Sequence, residues 1–385
     1  MDESLHQAGF GIYIHWPFCQ SKCPYCDFNS HVVSGVNQRE WAKAFVSELE
    51  RYKSETPERV VSSVFFGGGT PSLMEPELVE TILTCISENW TFARGAEITL
   101  EANPSSVEAG KFRDFRSAGV NRISLGIQAL NDHDLSKLGR LHSRDEGYRA
   151  IEIAQNTFTR VSFDLIYARQ DQGLKDWEAE LTKALSLGTE HLSLYQLTIE
   201  EDTAFGKRHA AGKLIGLPED NLAADMYALT QEICEAADMP AYEISNHARS
   251  WAQSQHNLIY WRGGDYLGIG PGAHGRLRVN GKRCATDTEL LPQTWLAAAT
   301  AGLGEASRTE LSAYEQGVEY LLMALRLTEG VDLTRASDFD PDLLNSNKYN
   351  ELVDMGFLAS DQSRLYATPQ GRMVLNAILR ELLKE

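Results

Sequence analysis

The chain has 385 residues, 43% hydrophobic and 23% charged, with a formal net charge of −18. Such a composition buries a globular core and leaves room for one large domain and a smaller one. The negative surface repels phosphate backbones and anionic lipids, so nucleic acid is not expected as a partner. The polar start, Met1-Asp-Glu-Ser4, does not read as a secretory signal, and no stretch approaches the ~20 apolar residues of a membrane span. Cys85, Cys234 and Cys284 are scattered and read as small buried side chains; a reducing cytoplasm is the expected location.

Along the first part of the chain, strand-like and helix-like patterns alternate. Short runs rich in β-branched and aromatic residues predict strands at Gly11–Trp16, Val60–Phe66, Glu97–Ala102, Arg122–Gly126, Arg160–Tyr167 and His191–Leu197. Amphipathic stretches between them predict helices at Gln38–Tyr52, Glu77–Asn89, Ser106–Ala118, Arg144–Asn156 and Lys175–Leu187. Repeated βα units imply an α/β fold with a parallel sheet, here a partial (β/α)6 barrel over residues 1–217, with function at the carboxyl ends of its strands.

From about Pro218 the pattern changes. A helix over Asp220–Ala237 and a strand over Ala241–Ile244 lead into a linking region, 218–303, rich in polar, aromatic and Gly residues. The remainder, 304–385, reads as mainly helical. A helix at Tyr349–Gly356, two short strands (Phe357-Leu358 and Leu365–Ala367) and a final helix from Pro369 suggest a winged-helix-like domain. From Glu305 onward there are 8 Lys and Arg against 14 Asp and Glu. That balance favours packing or partner docking over DNA reading.

Cys19-Gln-Ser-Lys-Cys23-Pro-Tyr-Cys26 falls in the loop after the first strand. Tight Cys spacing in a Cys-poor chain marks a metal or iron–sulfur site. Three thiolates are one short of a closed structural site; a zinc site completed by His15 or His31 is the bland alternative. Gly67-Gly-Gly-Thr-Pro71 follows the second strand and lets a ligand approach the backbone. Glu101 ends the third strand, Gly126-Ile-Gln128 the fourth, and Asp164 lies in the fifth; Arg140 either joins them or pairs with Asp145.

Cys-x3-Cys-x2-Cys after a first barrel strand resembles the radical S-adenosylmethionine (SAM) superfamily. The later motifs resemble its branch of oxygen-independent coproporphyrinogen III oxidase and haem-chaperone relatives, over most of the chain. The resemblance implies a 4Fe–4S cluster on Cys19, Cys23 and Cys26, with SAM on the open iron. It implies SAM contacts from Tyr13, Tyr25, Gly68, Gly69, Thr70, Glu101, Gln128, Arg140 and Asp164, with Tyr13 and His15 flanking the cluster.

Two departures point away from the oxidase. The oxidase pattern has a further cysteine where this chain has Phe28, and its chain extends further ahead of the first strand. His256-Asn257-Leu-Ile-Tyr260-Trp261 resembles the haem-binding string of the chaperone branch, with His256 as iron ligand and Asn257, Tyr260 and Trp261 beside it. His274, in Gly268-Ile-Gly-Pro-Gly-Ala-His-Gly275, is a second ligand candidate. The resemblance thus implies a haem chaperone with client haemoproteins such as respiratory cytochromes. A homodimer and peripheral membrane docking are further expectations. The alternatives are radical decarboxylation of coproporphyrinogen III propionates and radical chemistry on another tetrapyrrole.

Overall fold

A computed structural model describes residues 8–33, 35–344 and 347–383. In chain order the strands are β1 (Phe10–Trp16), β2 (Phe18–Cys19), β3 (His31–Val32), β4 (Val60–Gly68), β5 (Thr91–Ala102), β6 (Arg122–Gln128), β7 (Arg160–Tyr167) and β8 (His191–Gln196). After these come β9 (Asn246–Ala248), β10 (Asp265–Ile269), β11 (His274–Val279), β12 (Lys282–Thr288) and β13 (Glu305–Glu310). The last three are β14 (Val331–Asp332), β15 (Leu358–Ser360) and β16 (Arg364–Ala367).

Eleven strands form one sheet in the order β13-β12-β11-β10-β1-β4-β5-β6-β7-β8-β9. The six strands expected from the βα repeat are parallel neighbours in sequence order. Helices of two to five turns connect them, as parallel pairing requires. One face of these strands is apolar and packs on the helices, with Ile12, Ile14, Val64, Phe66, Leu100, Ile123, Phe163 and Leu192 sealed from solvent, while Ser63, Thr99, Ser162 and Ser193 are buried on the other.

The linking region contributes more sheet than expected. β10 adds in parallel to β1, and β11–β13 continue that edge as an antiparallel meander. β13 has the sequence EASRTE and is mostly exposed, so it lacks the apolar alternation that marks a strand. The strand expected over Ala241–Ile244 is replaced by a turn. One Glu243 carboxylate oxygen accepts from the backbone of both Ser245 and Asn246, and the chain pairs with β8 only at Asn246–Ala248.

The carboxyl-terminal part builds its own core from residues including Leu321, Leu325, Leu358, Leu365 and Leu379. The hairpin β15–β16 gains a third strand, β14, along β16. Arg276 on β11 ties this part to the sheet through Glu319 at 2.8 Å, and Arg335 donates to the Arg262 and Gly263 carbonyls.

A buried ion network closes the amino end of the sheet. Glu97 meets Arg160 at 2.5 Å and Arg122 at 3.8 Å, and its other oxygen accepts from Ser254 Oγ and the His256 amide. Removing one member strands the opposite charges in a dry interior. Glu97→Ala should therefore lower stability by about 3–5 kcal/mol, read as a drop in the urea midpoint.

Candidate active site

A cavity of about 340 Å³ lies at the carboxyl ends of the parallel strands. Its wall takes residues from the cysteine loop and from the ends of β4, β5, β6, β7 and β8. Flat, five strands would span about 19 Å at the usual ~4.8 Å spacing; lining one cavity requires the sheet to curl.

The cysteine loop is held in place before any ligand arrives. The Gly69 amide donates to Trp16 O at 2.7 Å and the Thr70 amide to Phe18 O at 2.9 Å. A Cβ at Gly69 would sit 2.7 Å from Phe18 O and 3.0 Å from Cys19 Sγ, so this approach requires glycine. Gly68, at φ +112°, would collide with the His15 ring and with Trp16 O. Trp16 and Phe18 pack edge-on against Trp41, which stacks on Trp295, and together these rings buttress the loop from below. On its far side, Asn29 Nδ2 donates to the Pro271 and Leu290 carbonyls, each at 2.9 Å.

Cys19, Cys23 and Cys26 all face the cavity, and burial raises the thiol pKa values of Cys19 and Cys26. Thr70 Oγ1 donates to Cys19 Sγ at 3.5 Å, and Arg140 Nη1 donates to Cys23 Sγ at 3.3 Å. Among the described residues no three His, Cys, Asp or Glu donors converge on a single ion. His15 and His31 are committed to Asn29, through its carbonyl and its side chain. The zinc alternative therefore lacks its fourth ligand, whereas three thiols around one cavity suit a cluster that takes one thiolate per iron.

Arg140 spans the site. Its Nη2 donates to Asn103 Oδ1 at 2.6 Å and to Gly126 O at 2.8 Å, while its Nε is buried without a hydrogen-bond partner. Asp145, the surface alternative, pairs with Arg144 instead. Gln128 ends β6 at φ +70°, a region that non-glycine residues enter at a cost and that clusters at functional sites. Its Nε2 donates to Asp164 Oδ2 at 3.4 Å.

Glu101 and Asp164 share the cavity as two carboxyl groups. Burial first, and then Asp164, pushes Glu101 up to about 8; burial pushes Asp164 up to about 7 although Arg140 opposes it. A site that penalises two negative charges favours a cationic guest. The Arg140 guanidinium on the same wall carries the positive charge that attracts a carboxylate, so the wall fits a molecule carrying an ammonium, a sulfonium and a carboxylate. Residues holding such a guest would be Gly68, Gly69, Thr70, Glu101, Gln128, Arg140 and Asp164, with Tyr25 on the loop side.

Tyr13 does not reach this cavity. It lies behind the glycine run, where a Cβ at Gly67 would be 2.8 Å from its ring, and its hydroxyl bonds His15 Nδ1 at 3.0 Å. His256, Asn257, Tyr260 and Trp261, on helix Gln255–Trp261, also lie outside it. The His256 ring is sealed, with Nδ1 2.7 Å from Ser63 Oγ and Nε2 2.6 Å from Tyr260 Oη. Burial, then Arg122, lowers its pKa to about 3, so the imidazole is neutral, and in this conformation both nitrogens are occupied. Asn103, Tyr195 and Gln196 line the cavity but escaped the sequence reading. All three stand at or just past strand ends, the positional rule that exposed the others.

With this geometry, the chain matches the Radical SAM superfamily over residues 13–182 and the HemN C-terminal domain over residues 311–374. The three-thiol loop at the head of a curled parallel sheet makes it a radical-SAM protein, the class built around a 4Fe–4S cluster and SAM. Within that class the chain belongs to the family of the HemW proteins and their mitochondrial relatives. It is 35% identical to Heme chaperone HemW of Escherichia coli (strain K12), covering 97% of this chain and 98% of that protein. It is 37% identical to the mitochondrial Radical S-adenosyl methionine domain-containing protein 1 of Bos taurus, covering 97% and 87%. Coproporphyrinogen III oxidase (HemN) of Escherichia coli superposes with a TM-score of 0.80 at 20% identity, over 99% of this chain and 93% of that one, which shows the shared fold.

Two outcomes test the site. Cys23→Ala should retain no SAM-accessible cluster after anaerobic reconstitution, measured as bound iron and sulfide. Glu101 and Asp164 are raised from ordinary values of 4.5 and 3.8 to about 8 and 7, so the folded protein binds more protons than the unfolded chain between those limits. Their contribution to stability is therefore present at low pH and is lost as pH rises from about 4 to about 8. Glu101→Gln combined with Asp164→Asn should flatten that slope in urea titrations of the ligand-free protein.

Proposed function

We propose that this protein is a haem chaperone of the radical-SAM class. In this reading Cys19, Cys23 and Cys26 hold the cluster, the polar wall of the cavity holds SAM, and haem is bound and passed to client haemoproteins such as respiratory cytochromes. The observation that carries the reading is the end-to-end likeness to proteins named Heme chaperone HemW. Phe28 supports it: the position where the oxidase pattern has a further cysteine is an apolar side chain, 58% exposed, on the cavity wall. When bound, the cluster supplies one-electron reduction of the sulfonium; Arg140, Gln128 and the two carboxyl groups orient the guest and exclude water. Haem would meet His256, Asn257, Tyr260 and Trp261 on the helix Gln255–Trp261, with the His256 ring released from its bonds to Ser63 and Tyr260. Among the described residues no helix is long and apolar enough to cross a membrane, so delivery to membrane-bound clients calls for peripheral contact or a shuttling dimer.

The test is anaerobic reconstitution followed by two parallel assays on the full chain. Haem titration should give a saturable Soret band. Coproporphyrinogen III with SAM and reductant should give no protoporphyrinogen above background. Catalytic protoporphyrinogen formation would overturn the reading.

A further inference from the structure

Asn103, the residue after β5, stands between two of the three thiol groups. Arg140 Nη2 donates to its Oδ1 at 2.6 Å, and its Nδ2 donates to Thr70 Oγ1 at 3.3 Å. Both partners end on sulfur: Arg140 Nη1 donates to Cys23 Sγ at 3.3 Å, and Thr70 Oγ1 donates to Cys19 Sγ at 3.5 Å. The residue is itself anchored. Its backbone amide donates to Glu108 Oε2 at 3.0 Å, and the buried Ser72 hydroxyl donates to the same oxygen. Pro104 beside it disfavours helical backbone, so the side chain leaves the strand end in a defined direction.

The direction of each bond in this chain follows from the donors available. A guanidinium has no acceptor, so the amide atom that meets Arg140 is the oxygen. The amide nitrogen is then turned to Thr70, and it too can only donate. Thr70 Oγ1 accepts there, which leaves its one hydrogen for Cys19 Sγ. An aspartate of the same size would keep Arg140 but would accept from Thr70, drawing that hydrogen away from the sulfur. Asn103 thus sets the polarity of the donor on Cys19 as well as its position. Hydrogen bonds to cysteine sulfur are one of the levers on an iron–sulfur potential. Reduction adds negative charge to the thiolates, and a donor stabilises the reduced state more than the oxidised one.

We propose that Asn103 is a positioning residue that, through Thr70 and Arg140, raises the reduction potential of the cluster held by Cys19, Cys23 and Cys26. The assignment rests on the reading of those three cysteines as the cluster ligands. The full chain is reconstituted anaerobically without SAM and titrated with dithionite, and the midpoint potential is read from the electron paramagnetic resonance signal of the reduced cluster. Asn103→Asp should move the midpoint to a more negative value, and so should Thr70→Val. The added charge of the aspartate acts on its own as well, so the two changes are combined. In the Thr70→Val background, Asn103→Asp should shift the midpoint by less than it does in the parent. Asn103→Ala removes the donor without adding charge; it should also move the midpoint negative, and it takes the same place in the comparison if the aspartate variant binds no cluster. Equal shifts in the parent and in the Thr70→Val background, or an unmoved midpoint in a cluster-loaded Asn103→Ala, overturn the role of Asn103 and leave the cluster ligands in place. A parent chain that assembles no cluster overturns the ligand assignment and this role with it.

Discussion

Two backbones approach closely at the head of β4, and the open end of the molecule is organised around that approach. The cysteine loop lies on the glycine run at residues 67–69, joined by amide-to-carbonyl bonds at Gly69 and Thr70. A single methyl group at Gly69 would meet both Phe18 O and Cys19 Sγ. Once this seam is fixed, Cys19 has a defined position, Thr70 reaches its sulfur, and Asn103 links Thr70 to Arg140. Arg140 in turn reaches Cys23 and closes the circuit. The loop is a covalently continuous segment held from three sides, so its geometry is set by the protein before a cluster occupies it, which is how a preorganised site limits the entropy cost of binding.

The cavity combines that rigidity with electrostatic tension. Two carboxyl groups and one guanidinium share a confined volume, and burial raises the pKa of both acids. A ligand-free cavity of this kind is frustrated, and the frustration is selective: it is relieved by a guest carrying positive charge near Glu101 and Asp164. The left-handed backbone at Gln128 belongs to the same economy of local strain, since it turns the end of β6 so that its amide side chain meets Asp164.

The parts of this architecture legible in the sequence were those that repeat or that bury large apolar faces. The βα period located the six parallel strands because each carries one buried apolar face and is flanked by amphipathic helices. β10 was missed because Asp265–Ile269 is short and half its length sits beside glycines, and β13 because an exposed edge strand has no buried face to pattern. At the site, positions defined by strand ends were readable. Tyr13 shares the sheet face of Phe65 and Glu101 but sits a layer below the cavity, where its ring packs with His15, Phe65 and His256, a depth that position along β1 does not reveal. The seal around His256 depends on Ser63, nearly two hundred residues away, which spacing along the chain cannot convey.

Asn29 stands between two regions that are otherwise far apart in sequence. Its amide nitrogen grips the carbonyls of Pro271 and Leu290, which bracket the turn into β11 and the exit from β12, while its own carbonyl accepts from His15. Whatever orders the cysteine loop therefore also orders the hairpin that carries His274. Thermodynamic linkage makes such a connection run both ways: whatever free energy a filled loop adds to the order of the hairpin, an ordered hairpin returns to the loop. One asparagine thus lets the state of the cysteine loop be felt at the far edge of the sheet.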